Sequence, residues 1–133
     1  ELDAAYAHAH ALRALALGVT YLVDERQEAL DAALVSARAA LALDDNDAAC
    51  HHAMAYVALR RCEYELAGHH HERALALNPN DTELMAQRAN WLMHVGRVEE
   101  ALAVLEASLE RNPFPPTWYW DVRGYVLYHL RRY

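Results

Sequence analysis

The amino-acid sequence repeats itself every 34 residues, and this period restricts what the chain can fold into. One series of small residues comprises Ala33, Ala67 and Ala101. Asn78-Pro79 and Asn112-Pro113 recur at the same spacing, each just past an apolar helical run, where a helix must end. A constant period of this length indicates an array of stacked helix pairs. The units of such an array bury their apolar faces against their neighbours and leave a continuous curved surface, which these proteins use to bind other proteins.

The period and pattern resemble the tetratricopeptide repeat, whose unit is two antiparallel helices. Full units run over 48–81 and 82–115. The family's small-residue and proline positions are filled by Ala55, Ala67, Ala74, Pro79, Ala89, Ala101, Ser108 and Pro113. Small side chains are needed there because helix axes about 8–10 Å apart leave little room at the crossing points. The resemblance implies an all-α fold in a single domain, 1–133, built as a right-handed superhelix of about three and a half helix pairs.

The first unit, 1–47, is irregular. The residues 24–27 (DERQ) have the pattern of a capping box that opens a helix through about Leu43. If the partner helix spans roughly 2–17, then 18–23 is an insertion of about seven residues relative to the standard unit. The sequence therefore predicts two helices separated by a long connection.

The last unit, 116–133, is shifted by one residue and stops as its second helix should begin. Trp120, Gly124 and Leu127 fall where the family has its Trp, Gly and large apolar residue. Without a second helix to cover them, they should leave an apolar strip exposed, and such strips tend to find a partner. We expect the chain to be a piece of a larger protein, and we expect a homodimer that forms through the C-terminal helix.

Composition excludes several classes of function. The chain has 55% hydrophobic and 23% charged residues and a formal charge of −7, which is typical of a soluble domain and argues against general nucleic-acid binding. Its apolar stretches are shorter than the roughly 20 residues that a membrane span requires. Cys50 and Cys62 lie too far apart on one predicted helix to form a disulfide. We therefore expect no nucleic-acid or membrane partner, and a cytoplasmic location.

Motifs for catalysis are missing from the sequence. It has no Gly-rich phosphate loop, no H-E-x-x-H, no paired-cysteine zinc motif and no nucleophile elbow. We therefore expect no catalytic residues, no enzyme activity and no cofactor.

Nine histidines are the one compositional excess. The consecutive residues 69–71 are all histidine and point in different directions around a helix, so they cannot share one metal ion. His51 and His71 fall at family positions that are usually aromatic, and they are expected to face one another across the helix pair. We expect the imidazoles to replace aromatic rings in packing and to bind no metal; a transition-metal or pH-sensitive site is the alternative.

An arginine recurs at one position of three units, where the family usually has Leu: Arg13, Arg88 and Arg123. A partly buried arginine needs a carboxylate partner. The acids that occur once per unit and could pair with them are Asp31, Glu65 and Glu99. We predict a series of ion pairs between units; contact with an anion or with a carboxylate of a partner protein is the alternative.

The tetratricopeptide family builds its concave groove from the first helix of each unit. The residues that fall at groove positions are His52, Tyr56, Arg60, Asn90, Met93, His94, Asp121, Tyr125 and Tyr128. Their aromatic and polar makeup is typical of a peptide-binding groove. Chaperone-binding members clamp a C-terminal carboxylate with Lys and Asn, but this chain has no Lys. A carboxylate would have to be met by Arg60, His52 or His94.

A narrower resemblance concerns the segments 112–116 (NPFPP), 118–120 (WYW) and 131–133 (RRY). Together with the irregular first unit, they look similar to the C-terminal repeat region of proteobacterial class III adenylate or guanylate cyclases and of related winged-helix transcription regulators. The cyclase metal-binding and DNA-reading residues are missing, so this resemblance implies a regulatory attachment without activity. We predict a non-catalytic protein-interaction module of a larger signalling protein. The alternatives are a small-ligand-sensing domain and a structural dimerisation element.

Overall fold

A computed structural model describes the backbone of residues 2–132 and the side chains of residues 4–132. This part of the chain forms seven α-helices and contains no strand. They are α1 (Leu2–Asp24), α2 (Gln27–Leu43), α3 (Ala48–Arg60), α4 (Tyr64–Leu77), α5 (Thr82–His94), α6 (Val98–Arg111) and α7 (Thr117–His129). The predicted all-α fold class is confirmed. No helix within 2–132 is both long enough and apolar enough to cross a membrane.

The sequence period reappears in the positions of the helices. Helix α5 begins at Thr82, 34 residues after α3 begins at Ala48. Helix α6 begins at Val98, again 34 residues after α4 begins at Tyr64. Helix α7 begins at Thr117, which is 35 residues after the start of α5 and agrees with the predicted shift by one residue.

Helices α3 and α5, each the first helix of its pair, have an aspartate as their N-cap residue. The carboxylate of Asp47 accepts a hydrogen bond from the backbone N–H of Ala49 at 2.8 Å. The carboxylate of Asp81 accepts from the N–H groups of Glu83 and Leu84 at 2.9 and 3.1 Å. These N–H groups have no partner within the helix, so each aspartate stabilises its helix start by about 1 kcal/mol.

The same turn closes α3, α5 and α7. Cys62, Gly96 and Arg131 each adopt a left-handed backbone, with φ of 60°, 80° and 54°. In each case the N–H of the following residue donates to the carbonyl five positions earlier, at 2.9 Å. This pattern is the Schellman motif, which satisfies the last carbonyls of a helix and turns the chain away from its axis. The first two of these turns lead α3 into α4 and α5 into α6.

Helix α1 is longer than predicted. Instead of ending near residue 17, it continues to Asp24, so the segment 18–23 is helical and does not form a separate connection. Apolar side chains and a threonine follow Gly18, and none of them breaks a helix. The extra residues of the first unit are therefore added to the helix. It ends at a tight turn in which Glu25 has φ of 53°.

The predicted capping box at 24–27 is also wrong. The N-cap residue of α2 is Arg26, whose side chain makes no capping bond. Asp24 still belongs to α1, and its carboxylate accepts from the Arg26 guanidinium at 3.0 Å. The amide of Gln27 donates to Asp31 at 3.2 Å. Because α1 extends to Asp24, this residue cannot serve as the N-cap of the next helix.

The chain divides into two compact units, Glu1–Pro79 and Asn80–Tyr133. In the first unit α1 packs on α2 and α3, and α3 also packs on α2 and α4. In the second unit α6 packs on α5 and α7, and α5 also contacts α7. The small residues predicted at helix crossings are at most 1% exposed: Ala55, Ala67, Ala74, Ala89, Ala101 and Ser108.

Candidate functional site

Three of the predicted groove residues lie along one row of α3. His52, Tyr56 and Arg60 follow one another at intervals of four residues, so their side chains lie one above the other. The rings of His52 and Tyr56 meet edge to face with their centroids 6.4 Å apart. The guanidinium carbon of Arg60 lies 4.7 Å from the centre of the Tyr56 ring. The structure therefore brings these three residues together, and we call them the α3 cluster.

Tyr56 is held in place by a close approach of α1. The residue is only 8% exposed. A Cβ atom on Gly18 would lie 2.8 Å from Cε1 of Tyr56, so only glycine fits at this position. The repeat pattern places Gly18 in a connection and does not predict this contact. A signal is nevertheless present, because Gly18 is the one glycine in the Ala- and Leu-rich sequence of α1.

No acid among the described residues forms an ion pair with Arg60. Its Nε atom is shielded from solvent and has no hydrogen-bond acceptor among the described residues. The adjacent Arg61 differs, because it pairs with Asp31 at 3.1 Å and with Glu63 at 2.7 Å. The face of the Tyr56 ring attracts the Arg60 guanidinium but does not accept its hydrogen bonds in the way that an oxygen does. A guanidinium in this setting suits a carboxylate, which it can bind through two parallel N–H groups.

The predicted groove residues of α5 lie in the second unit. Asn90 and Met93 are half-buried, and His94 is exposed. The Nδ1 atom of His94 lies 2.8 Å from the backbone carbonyl oxygen of Asn90. Because a carbonyl only accepts, Nδ1 must carry a proton, and in the neutral ring Nε2 is the acceptor. His94 can therefore accept a hydrogen bond when neutral and donate a second one when protonated.

The predicted groove residues of α7 are more exposed. Asp121 is exposed, and Tyr125 and Tyr128 are 61% and 68% exposed. Helix α7 is anchored from its opposite face, where Tyr119 is 1% exposed and its hydroxyl donates to Glu83 at 3.2 Å. Burial, followed by the nearby Glu83 charge, raises the pKa of Tyr119 to about 12, so this hydroxyl stays protonated. The nine predicted residues thus divide into the α3 cluster and six residues on α5 and α7.

His51 was predicted to face His71, and its ring makes a hydrogen bond to the residue next to His71 in α4. His51 pairs with His70, and their Nδ1 atoms lie 2.8 Å apart. His71 is also buried, at 2% exposure, whereas His69 is exposed. Both His70 and His71 lie on the buried face of α4, and the His70 ring is hydrogen-bonded to His51 of α3. The sequence pattern located the buried face but did not predict the hydrogen bond between His51 and His70.

The recurring arginines do not pair with the acids predicted as their partners. The contacts are Arg13 with the hydroxyl of Ser36 at 2.8 Å, Arg88 with Glu100 at 3.2 Å and Arg123 with Glu106 at 2.7 Å. The predicted partner Asp31 pairs with Arg61 instead. Glu65 and Glu99 are exposed and form no ion pair with these arginines. A long arginine side chain can reach several positions on the helix packed against it, so sequence spacing did not identify its partner.

Metal ligands are not grouped in the part of the chain whose side chains are described. No three His, Cys, Asp or Glu residues there could hold a metal ion. Burial, followed by the charges of Asp47 and Asp44, raises the pKa of Cys50 to about 11, so this thiol is unreactive at neutral pH. Cys62 is exposed and lies in the turn after α3 rather than on the helix.

Comparison with known families finds one family that is similar to part of the chain. The tetratricopeptide repeat family model matches residues 63–119, from the turn after α3 into the first residues of α7. These residues are therefore similar to tetratricopeptide repeats. No curated protein matches the sequence.

Comparison with solved structures covers more of the chain. The structure is similar to Pseudomonas aeruginosa pilF, with a TM-score of 0.80 and 23% identity over 99% of this chain. The fold is that of tetratricopeptide-repeat proteins. This chain spans 57% of the pilF chain, so it corresponds to about half of that protein.

Two other similar structures are complexes with peptides. The second tetratricopeptide-repeat domain of human RPAP3, solved with the HSP70 peptide SGPTIEEVD, has a TM-score of 0.67 and 18% identity, over 90% of this chain and 97% of that one. The first such repeat domain of Spaghetti (RPAP3), bound to the HSP90 peptide SRMEEVD, has a TM-score of 0.69 and 22% identity, over 91% of this chain and 95% of that one. Both peptide sequences end in EEVD and are therefore rich in carboxylates at that end.

Proposed function

We propose that this chain is a non-catalytic protein-interaction module and that its α3 cluster binds an acidic peptide segment. The observation that carries this proposal is the guanidinium of Arg60, which lies over the Tyr56 ring and has no acidic partner among the described residues. A cation held against a ring has lost part of its freedom before a ligand arrives, which lowers the entropic cost of binding a carboxylate. The acidic peptides bound by the two RPAP3 domains support the choice of ligand.

The mode of recognition differs from a lysine clamp. The chain contains no Lys, so Arg60 supplies the charge and His52 supplies a second polar group, with the Tyr56 ring between them. Arginine binds a carboxylate through two parallel N–H groups, whereas lysine acts as a point charge. We therefore expect selectivity for carboxylates whose two oxygens are both accessible, such as a Glu or Asp side chain or a free C-terminus.

The place of this module in a larger assembly is a further part of the proposal. We infer a regulatory attachment, in the cytoplasm, to a signalling protein such as a bacterial cyclase or a winged-helix regulator. This part is supported by the resemblance carried by 112–116, 118–120 and 131–133. The full sequence of the natural gene tests it, because a cyclase or winged-helix domain in the same reading frame would establish the attachment and an unrelated domain would refute it.

A peptide-display selection tests the binding proposal. Random peptides are selected against the wild-type chain and against two variants that each remove one arginine charge, Arg60→Gln in the α3 cluster and Arg73→Gln on the exposed surface of α4. We expect the wild type and Arg73→Gln to enrich the same acidic peptides and Arg60→Gln to lose them. The proposal fails if no acidic peptide is enriched, or if Arg60→Gln enriches the same peptides as wild type.

A further inference from the structure

Helix α1 runs alongside α3 in the same direction, and its extra residues lie beside the α3 cluster. Near the starts of the two helices, Nδ1 of His8 lies 3.7 Å from a carboxylate oxygen of Asp47, the N-cap residue of α3. Gly18, ten residues further along α1, lies against the ring of Tyr56, nine residues further along α3. These nearly equal steps between two contacts show that the helices are parallel and stay in register over this length.

The register determines which residues are neighbours one turn beyond the second contact. Leu22 follows Gly18 by four residues, and Arg60 follows Tyr56 by four residues. Residues four apart lie one above the other on a helix, about 6 Å apart along its axis. Leu22 of α1 therefore lies at the height of Arg60 of α3.

Leu22 and Arg60 also lie on the same side of the first unit. Arg13 of α1 is hydrogen-bonded to α2, and His51 of α3 is hydrogen-bonded to α4. Leu22 comes nine residues after Arg13, and Arg60 comes nine residues after His51. Nine residues are roughly two and a half turns of an α-helix, so the later side chain lies opposite the earlier one. Both Leu22 and Arg60 therefore lie on the side away from α2 and α4.

Two aliphatic side chains of α1 are exposed next to the α3 cluster. Val19 directly follows Gly18, and Leu22 is its neighbour three residues further on. Each is 51% exposed. We call these two residues the α1 apolar pair.

The accessibility of Val19 is a property of its repeat position. The recurring arginine position, which is Arg13 in α1 and Arg88 in α5, corresponds to Met54 in α3. Val19 and Arg60 each follow that position by six residues and are therefore equivalent. Arg60 stays partly exposed although α1, α2 and α4 all pack on α3. The position thus remains open to a ligand where other helices surround it.

The spacing between the cation and the α1 apolar pair suits an extended peptide. The axes of packed helices lie about 8–10 Å apart. In an extended chain, residues i and i+2 point to the same side and lie about 7 Å apart. A peptide that lies across both helices can therefore place a carboxylate at Arg60 and an apolar side chain, two residues away, on the α1 apolar pair.

We propose that the α3 cluster and the α1 apolar pair form one site for an extended peptide segment in which a single residue separates an acidic residue from an apolar one. The carboxylate binds Arg60, and the apolar side chain packs on Val19 and Leu22. Because Arg60 has no acidic partner among the described residues, charge complementarity favours this occupant over a purely apolar one. The inference rests on the proposed function, since the carboxylate at Arg60 positions the segment.

The first test uses the acidic peptides that the wild-type chain selects from a random library and that Arg60→Gln does not. We expect these peptides to be enriched in an apolar residue two positions from the acid that Arg60 binds. Acidic peptides that depend on Arg60 but show no such enrichment overturn this inference and leave the proposed function standing.

The second test measures the affinity of one selected peptide by calorimetry, in two forms that carry Leu or Ser at the enriched position. The variants are Leu22→Gln and the matched control Leu12→Gln, which changes a leucine of similar exposure, 55%, about 15 Å away along α1. Both replace exposed side chains, and circular dichroism checks that both are folded.

We expect Leu22→Gln to bind the Leu peptide about fivefold more weakly than wild type, the effect of losing roughly half of the burial of one leucine side chain. It should bind the Ser peptide as the wild type does, and Leu12→Gln should bind both peptides normally. Equal effects of Leu22→Gln on the two peptides, or an equal loss in Leu12→Gln, overturn the inference.

Other occupants of the α1 apolar pair give different results. Selected peptides that depend on Leu22 but not on Arg60 would assign the pair to a purely apolar partner and overturn both proposals, as would a selection that enriches no peptide. Light scattering of the chain without peptide tests for a second copy. Self-association that is lost in Leu22→Gln and kept in Leu12→Gln would show that a second copy covers the pair, and it would contradict this inference alone.

Discussion

The Nδ1 atoms of His51 and His70 lie 2.8 Å apart and form a hydrogen bond between two buried imidazoles. The Nε2 atom of His51 lies 2.8 Å from the backbone carbonyl oxygen of Asp45. Because this carbonyl only accepts, Nε2 of His51 carries a proton, and Nδ1 of the neutral ring is an acceptor. The His70 ring must then donate from its own Nδ1. The pair joins α3 to α4 and satisfies polar atoms that would otherwise be buried without partners.

This pair predicts that the chain loses stability in mild acid. Burial, followed by the proximity of His51 and His69, lowers the pKa of His70 to about 4. Between this pKa and the ordinary value of about 6.5, the unfolded chain binds a proton that the folded chain does not. The free energy of unfolding therefore falls by about 2–3 kcal/mol as the pH is lowered from about 6.5 toward 4, and above pH 6.5 His70 causes no such loss.

Urea unfolding measured across this pH range checks the prediction. His70→Gln, which keeps a hydrogen-bond donor toward His51, should make the free energy of unfolding depend less on pH. His69→Gln is the matched control, because His69 is exposed and burial is the first cause of the shift. If wild type and His70→Gln lose stability in parallel, the buried pair is not the origin of the acid sensitivity.

The turns after α3 and α5 predict opposite effects of two substitutions. Cys62 and Gly96 occupy equivalent left-handed positions, with φ of 60° and 80°. Glycine adopts this conformation without strain, whereas a residue with a Cβ atom is destabilised there by roughly 1 kcal/mol. Cys62→Gly should therefore raise the free energy of unfolding, and Gly96→Ala should lower it, each by about 1 kcal/mol. Chemical denaturation of both variants measures this, and changes of the same sign would contradict it.

Alanine substitutions of two helical glycines, Gly18 and Gly124, are predicted to have opposite effects on stability. At Gly18 an added Cβ would lie 2.8 Å from the ring of Tyr56, which is buried and cannot easily move. At Gly124 an added Cβ would meet nothing within 4 Å. Alanine gains about 1 kcal/mol over glycine from helix propensity. We expect Gly124→Ala to stabilise the monomer by up to about 1 kcal/mol and Gly18→Ala to destabilise it by about 1–3 kcal/mol.

Thermal melts of the two alanine variants at low concentration measure these effects without self-association. A stabilised Gly18→Ala variant would mean that α1 does not approach Tyr56 as closely as the structure places it. It would also remove the physical reason for the burial of the Tyr56 ring.

The repeat pattern predicted those parts of the fold that depend on small residues and helix ends. Ala67 and Ala101 are buried as expected, because a crossing helix excludes larger side chains. Helices α4 and α6 end before Asn78 and Asn112 as expected, because a chain reversal needs a residue that can stop a helix. The length of α1 was not predictable from the repeat. No neighbouring unit has an equivalent of residues 18–23, and no breaker follows Gly18.

Contacts of long side chains were the least predictable part of the structure. Arg88 pairs with Glu100 rather than Glu99, and the hydrogen bond from His51 to His70 was not predicted. Adjacent residues on a helix differ by about 100° in direction, so a choice between them depends on how far two packed helices are rotated about their axes. That Arg60 lacks an acidic partner was accessible only from the structure, because the sequence shows an acid at 63 that in fact binds Arg61.

The central claim is that Arg60 recognises a carboxylate of a partner peptide, and a double-mutant cycle tests it most directly. The affinity of an acidic peptide obtained by selection is measured by calorimetry for wild type and Arg60→Gln, with the peptide in its acidic form and with its key Glu or Asp replaced by the amide. We predict a coupling free energy of about 1–3 kcal/mol between Arg60 and that carboxylate. The matched variant Arg73→Gln should give a coupling near zero. If the losses of binding free energy from Arg60→Gln and from the amide peptide simply add, with no coupling between them, the claim is contradicted.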